Sequence, residues 1–214
     1  MTVKSITIGE PFFNIEYLSA EENFCLEERA ILLNLGKKNI KIKHQKLKPL
    51  ESVIVQNTEI LGIETAIIIK NFDQYNEADV FKRITNMWPT AYEVRGEERL
   101  KGVSHFMSPK IWEGRFGFTL YLSQSVPLNV GLHKEHPFCP EPGFREVHTQ
   151  IMGIGKMQQC QKKDISTLYL EEIMAPGSTH KPMYDKQGNY PWHQYETITP
   201  SIFMAVEILP EPNE

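Results

Sequence analysis

Histidines and carboxylates are concentrated in residues 133–155, which read HKEHPFCPEPGFREVHTQIMGIG. His133, His136 and His148 supply imidazoles and Glu146 supplies a carboxylate, and divalent transition metals bind both kinds of group. The stretch closes on Gly-Ile-Gly, which is typical of a turn between strands. It indicates either a metal site laid across two strands or a polar surface hairpin that is rich in histidine.

The segment Phe144–Met152 is predicted to be a β-strand. Side chains at positions i and i+2 of a strand share a face, so Glu146, His148 and Gln150 lie together. If that face points into a barrel, the carboxylate must be paired or bound to a cation, because a buried charge without a partner is costly. A divalent metal ion would satisfy it. For His148 two alternatives remain open, a metal ligand or a catalytic group that faces the substrate.

Further candidates lie downstream. His180 follows a turn, APGST, while His193 and Tyr195 share one face of a short predicted strand, Trp192–Glu196. Five of the seven histidines therefore fall between residues 133 and 193. Tyr195 is interpreted either as a general acid or as a buried aromatic residue with a satisfied hydroxyl group.

Short β-strands account for most of the predicted structure, and turns of Gly, Pro, Asn and Lys connect them. The predicted strands are Val3–Ile8, Phe12–Leu18, Ala30–Leu35, Asn39–Lys43, Ser52–Val55, Thr65–Lys70, Gly117–Leu122, Pro127–Leu132, Phe144–Met152, Lys156–Gln159, Thr167–Met174, Trp192–Glu196 and Ile202–Ile208. Many short strands at this spacing predict a sandwich or a barrel.

One short helix is predicted near residues 77–88, where Asn76 is the N-cap and apolar residues recur at helical spacing until Pro89 ends it. With its charged tail this helix divides the chain into an N-terminal β unit, 1–100, and a C-terminal barrel with the metal site, 101–214. The order of strands and turns in Ala30–Val55 resembles that in Val147–Met174, which favours a duplicated β unit.

Composition excludes several classes of protein. The chain has 214 residues, 41% of them hydrophobic, and a net charge of −4, so it lacks the basic character of a nucleic-acid-binding domain. The basic stretch Lys37–Lys48 is interpreted as a solvated strand face. We find no apolar run long enough for a membrane span, no signal peptide, and an odd number of cysteines (Cys25, Cys139, Cys160) without a CxxC pair. We expect a cytoplasmic protein.

The second half of the chain, about residues 115–210, resembles a cupin, a small barrel built as a double-stranded β-helix. Gly131, His133 and His136 resemble the opening of the first cupin motif, in which two histidines have the spacing HxH. Glu146 stands seven residues before Gly153, where that motif has its metal-binding glutamate. The segment PGSTH, ending at His180, resembles the second motif. The first half resembles a cupin only in its strand rhythm, as a degenerate cupin half would.

The sequence departs from the cupin pattern at three points. His133 and His136 are spaced HxxH, so they do not share a face of an unbulged strand. The nine residues PFCPEPGFR, 137–145, form an inserted loop before Glu146. The last ligand is open: His180 fits by its spacing from Pro-Gly, and His193 fits by its spacing from the last strand. We favour His193 and place His180 near the barrel mouth.

The resemblance implies a mostly β, jelly-roll barrel with one divalent transition metal, for which we favour Fe(II) over Mn(II), Ni(II) or Zn(II). The expected metal ligands are His133, His136, Glu146 and His193, and the expected catalytic residues are His148, Tyr195 and His180.

A cupin of this kind is expected to act on a small polar metabolite, by oxygenation or oxidation or by metal-assisted isomerisation, in a biosynthetic tailoring pathway. The alternative is a non-catalytic barrel that binds or senses a small ligand. The expected partners are the small-molecule substrate and a second copy of the chain, because an open strand edge invites pairing. No partnership with nucleic acid or membrane is expected.

Overall fold

The structure, a computed structural model, describes residues 2–125, 128, 130–136 and 145–211. The prediction of a mostly β chain is confirmed. The strands are β1 (Thr2–Ile6), β2 (Asn14–Leu26), β3 (Ala30–Asn34), β4 (Ile40–Ile42), β5 (Gln45–Leu47), β6 (Ser52–Val55), β7 (Thr58–Lys70), β8 (His105–Met107), β9 (Ile111–Glu113), β10 (Phe116–Ser123), β11 (Arg145–Met152), β12 (Gly155–Cys160), β13 (Leu168–Met174), β14 (Trp192–Thr197) and β15 (Ser201–Ile208). The α-helices are α1 (Glu77–Ile84) and α2 (Ala91–Arg95), and single 3₁₀ turns lie at Thr7–Gly9, Glu98–Leu100 and Ile165–Thr167.

These strands form three sheets. The seven-stranded sheet has the order β1-β2-β7-β3-β6, with β4 pairing with β5 and β7. The five-stranded sheet has the order β11-β15-β10-β8, with β9 on β10, and the three-stranded sheet has the order β13-β12-β14. The first sheet uses strands that end at Lys70, whereas the other two begin at His105. Both helices lie between, where the domain boundary is predicted.

The seven-stranded and five-stranded sheets pack face to face. Ile202, Met204 and Val206 on β15 belong to one buried cluster with Ile31 and Ile67 of the first sheet. Burying an aliphatic side chain of this size stabilises the fold by roughly 1.5–3 kcal/mol. The N-terminal half therefore supplies the apolar cover for one face of β15.

The other face of the five-stranded sheet lines the interior that holds the candidate site. The alternate residues of β15, Phe203 and Ala205, belong to a second cluster with Met157 and Tyr195 of the three-stranded sheet. Since side chains alternate along a strand, the same strand presents one apolar face to the first sheet and one face to the barrel interior.

The alternation in β11 follows the predicted parity. Val147 and Ile151 lie in the cluster that faces the first sheet. Glu146 and His148 line the interior cavity instead, and Gln150 is fully buried on their side of the strand. The pleat of one strand thus delivers a carboxylate, an imidazole and an amide to the interior.

The helical segment differs from its prediction. Asn76 caps α1 through its side chain, which accepts a hydrogen bond from the Ala78 N–H at 3.0 Å, as expected. The helix ends at Ile84 rather than near residue 88, and Met87 is 52% exposed. A second helix, α2, follows Pro89. It was not predicted, because five residues are too few to show a helical period.

The predicted strand Pro127–Leu132 is wrong in the part that the structure describes, residues 128 and 130–132, which carry no strand. Leu128 is held by Thr197 instead: its N–H donates to the Thr197 hydroxyl at 2.7 Å, and its carbonyl accepts from the Thr197 N–H at 3.0 Å. The hydroxyl group of Thr197 thus takes the place of a backbone acceptor that a neighbouring strand would provide.

The inserted loop predicted at residues 137–145 lies outside the described residues except for its last residue, and Cys139 lies outside them too. Cys25 and Cys160 are free thiols. No helix in the described ranges is long and apolar enough to cross a membrane.

Gly153 offers a direct test of the turn that closes β11. Its φ is +69°, and a Cβ atom there would lie 1.9 Å from the Pro200 carbonyl oxygen. Gly62 has a similar φ, +74°, but open space around it. We expect Gly62→Ala to cost about 1 kcal/mol of unfolding free energy from backbone strain alone. Gly153→Ala should cost at least about 2 kcal/mol more, because the backbone must also move. Urea unfolding measures both, and equal losses would contradict the steric account.

Candidate metal centre

Three histidines converge at one end of the barrel interior. His133 and His193 form an antiparallel bridge in which each backbone N–H donates to the other carbonyl, at 3.0 and 2.9 Å. Their ring centroids are 4.3 Å apart, and the His136 ring stacks 5.1 Å from that of His193. One ring nitrogen from each lies within 4.8 Å of the others, so the three can hold a metal ion. His136 lies outside regular strand, so strand parity does not separate it from His133.

Backbone carbonyls fix the tautomers of two of these histidines. The Nδ1 atom of His133 lies 3.1 Å from the Gly131 carbonyl oxygen, and that of His193 lies 2.9 Å from the Pro191 carbonyl oxygen. A carbonyl only accepts, so both Nδ1 atoms carry the proton and both Nε2 atoms carry the lone pair. This is the arrangement by which proteins orient metal-binding imidazoles.

Burial keeps these imidazoles neutral. Burial, helped by the nearby His193, lowers the pKa of His133 to about 2. Burial also lowers the pKa of His193 to about 4 and lowers that of His136. At pH 7 all three rings are therefore in the uncharged form that binds a metal ion.

Glu146 accepts a hydrogen bond from His148 in the same cavity, with 2.7 Å between Oε1 and Nε2. Burial raises the pKa of Glu146, but His148, His136 and Arg95 lower it by more, so the net shift is downward and the group is ionised. The carboxylate accepts the Nε2 proton of His148, which leaves the lone pair on Nδ1. Among the described residues that buried Nδ1 atom has no hydrogen-bond partner.

The structure does not bring His180 to the three histidines. Its Nε2 atom accepts the backbone N–H of His148 at 3.0 Å, and its Nδ1–H donates to the Lys181 carbonyl at 2.8 Å. The ring is 1% exposed and burial lowers its pKa to about 3. Both nitrogens are engaged with the backbone, so neither remains for a metal ion or a substrate.

Tyr195 lies in the cavity wall. Its hydroxyl donates to the Gln150 side-chain carbonyl at 2.9 Å, and burial raises its pKa to about 12. Its ring lies 4.3 Å from that of Phe203. This geometry matches the alternative of a buried aromatic residue with a satisfied hydroxyl group.

The cavity has a volume of about 60 Å³ and also contains residues that the sequence did not single out. His105 lies outside the histidine-rich stretch of the sequence, yet its ring stacks on that of Tyr121 with 5.0 Å between centroids. Its Nδ1 atom lies 2.9 Å from the Ser123 hydroxyl, and burial lowers its pKa to about 3. Pairing of β8 with β10 brings it there, which no local motif reveals.

Glu207 is a second carboxylate of the interior. It is 3% exposed, lies directly across from Glu146 in the β11–β15 ladder, and is paired with Lys110 at 2.5 Å. Burial and the neighbouring Glu146 raise its pKa. The sequence could have indicated Glu207 by its position in the apolar run IFMAVEI, because an acidic residue in a buried strand needs a partner.

Comparison with known proteins gives structural similarity only. No protein-family model matches the sequence, and no curated protein matches it. Cupin-domain proteins are its structural neighbours. The structure is similar to a cupin 2 conserved barrel domain protein from Leptotrichia buccalis, with 13% identity, a TM-score of 0.35, and coverage of 98% of this chain and 88% of that chain.

Several of the similar structures are enzymes by name. Salicylate 1,2-dioxygenase from Pseudoaminobacter salicylatoxidans is 7% identical, with 92% of this chain and 68% of that chain covered and a TM-score of 0.41. A sugar phosphate isomerase from a cupin superfamily, from Silicibacter pomeroyi, is 16% identical, with coverage of 57% and 67% and a TM-score of 0.37.

The buried neutral histidines predict an acid-sensitive fold. His105 and His180 have pKa values of about 3 in the folded chain, below the roughly 6.5 of an unfolded histidine. The unfolded state therefore binds more protons as the pH falls below about 6.5, and each histidine removes up to about 1.4 kcal/mol of unfolding free energy per pH unit. Urea unfolding at pH 7, 6 and 5 should show this loss.

The variant His105→Gln separates this effect from the titration of carboxylates. Its unfolding free energy should fall less steeply between pH 6 and 5 than that of the wild type. The two slopes should differ by up to about 1.4 kcal/mol per pH unit, which corresponds to one proton. Identical slopes for the two proteins would show that His105 is not held neutral by its burial.

Proposed function

We propose that this protein is a metal-dependent enzyme of the cupin type that acts on a small polar metabolite, by oxygenation or oxidation or by metal-assisted isomerisation. The observation that carries the proposal is the cluster of His133, His136 and His193, whose ring nitrogens lie within 4.8 Å of one another in a buried cavity. Imidazoles with carbonyl-fixed Nδ1 protons and lowered pKa values are suited to a divalent transition metal.

Glu146 is proposed as the fourth ligand. It is ionised and largely buried, with 12% of its side chain exposed, and it lies in the same cavity, where its Oε1 atom accepts a hydrogen bond from His148. Three neutral imidazoles and one carboxylate suit Fe(II), which we favour, and also Mn(II), Ni(II) and Zn(II). When bound, such an ion supplies Lewis acidity and, in the case of iron, a site for O₂ chemistry.

The protein groups around the histidines bind the substrate and handle protons. The lone pair on His148 Nδ1 makes this atom a proton acceptor, and the ionised Glu146 stabilises the imidazolium that results. The rings of Tyr195 and Phe203 exclude water from one wall. A volume of about 60 Å³ favours a small substrate.

The expected homodimer also remains a proposal. β13 is an edge of the three-stranded sheet, and Tyr169 and Ile173 on it are 53% and 58% exposed. An edge of this kind with apolar side chains favours pairing with another chain.

Metal content tests the proposal. Untagged protein, freed of metal and reloaded separately with Fe(II), Mn(II), Ni(II) and Zn(II), should bind about one ion per chain for at least one of them, measured by mass spectrometry of the dialysed protein. His133→Ala and His193→Ala should each weaken binding by at least about 100-fold, because a lost ligand costs more than a lost supporting contact.

Two further variants serve as controls. His44→Ala alters an exposed histidine and His180→Gln alters one whose nitrogens are engaged with the backbone, so both should retain the metal. Circular dichroism checks that each variant is folded. Substoichiometric metal in the wild type with all four ions would overturn the proposal, and loss of metal only in His180→Gln would overturn the ligand set.

A further inference from the structure

Arg95 reaches the candidate site from outside the part of the chain that resembles a cupin. It is the last residue of α2 and lines the cavity that contains the three histidines. A capping box of Thr90 and Glu93 fixes the start of this helix, and Gly96, with a φ of +68°, ends it. A five-residue helix that is capped at both ends holds its last side chain in a defined place.

The contacts of Arg95 leave donors for a ligand. Its Nη2 group donates to the Tyr121 hydroxyl, and its Nη1 group lies 3.7 Å from Glu97, beyond hydrogen-bond distance. A guanidinium carries five N–H donors in a planar fork that matches a carboxylate. The side chain is 20% exposed, so the remaining donors are in contact with the cavity and its opening.

Arg99 has a different role from Arg95. Its Nε and Nη2 groups bind the same Glu97 oxygen at 2.7 and 2.6 Å, and its Nη1 group donates to the Val130 carbonyl at 2.7 Å. Arg99 therefore neutralises Glu97 and is itself satisfied by the protein. Of the two arginines that line the cavity, Arg95 is the one with N–H donors left for a ligand.

Charges around the cavity favour an anion once the histidines hold a divalent ion. Lys110 pairs with Glu207, and Arg99 pairs with Glu97. Glu146 is then the anion that faces both Arg95 and the divalent ion. Positive charge is then in excess inside the cavity. Glu135, which also lines it, is exposed and is screened by water.

Aromatic rings line the cavity next to Arg95. The guanidinium carbon lies 5.4 Å from the centre of the Tyr121 ring. Tyr121 stacks on Phe203 with 5.3 Å between centroids and an angle of 20°, and Phe203 lies 4.3 Å from Tyr195. These rings pack on one another and give the cavity an apolar side next to the guanidinium group.

We propose that Arg95 binds the carboxylate of a small substrate, whose body lies in the apolar part of the cavity that Phe203 lines while its other end faces the three histidines. The inference rests on the proposed metal-dependent function, and it names the substrate class for that site.

Binding of acetate and of its neutral amide, acetamide, tests the inference, with crotonate and crotonamide as a larger pair. Calorimetric titration of the metal-loaded chain should show that the carboxylate of a pair binds at least about tenfold more tightly than the amide. Arg95→Gln should remove this preference and leave amide binding within about twofold. Arg95→Lys should give an intermediate result, because it keeps the charge but loses the fork.

Arg83→Gln is the matched control, since Arg83 is an exposed arginine of α1 and should leave both affinities unchanged. The same titrations on metal-free protein, with the metal content measured in each sample, separate the two proposals. If the protein does not load metal, the proposal of a metal-dependent enzyme fails, but the dependence of carboxylate binding on Arg95 is still measured. A wild type that prefers neither carboxylate, or an Arg95→Gln protein with wild-type carboxylate affinity, would overturn the assignment of Arg95.

Discussion

The reciprocal backbone hydrogen bonds between His133 and His193 are the constraint on which the candidate site depends. They join two segments that are far apart in the sequence and place two imidazoles side by side. The carbonyls of Gly131 and Pro191 then take the Nδ1 protons, so the other ring nitrogens carry lone pairs. Backbone geometry alone thus presents two neutral donors, and His136 completes the cluster.

The two halves of the chain contribute unequally to this arrangement. The interior of the N-terminal half is filled by apolar side chains such as Leu32, Ile60 and Ile68, and no chemistry follows from them. The opposite face of the same sheet covers β10, β11 and β15. Hydrophobic burial in that interface keeps the second half's sheet in place, which allows its other face to carry polar groups at a cost in stability.

Short-range rules predicted several features of the fold and the site correctly. Strand parity placed Glu146 and His148 on the interior face of β11, and an Asn cap marked the start of α1. Spacing could not decide between His180 and His193, because the hydrogen bond that engages His180 Nε2 comes from the backbone of His148 in β11, far away in the sequence. The sequence did not indicate Arg95, His105 or Glu207 as residues of the cavity. His105 and Glu207 are brought there by pairing between strands that are distant in the sequence, and Arg95 lies in a linker that has no periodic pattern.

The most direct test of the account is an anomalous difference map from crystals of the metal-loaded protein, recorded at the absorption edge of the bound ion. The account predicts one peak within about 2.0–2.3 Å of a ring nitrogen of each of His133, His136 and His193. A peak on His180, a peak at the protein surface, or no peak in the barrel would contradict it.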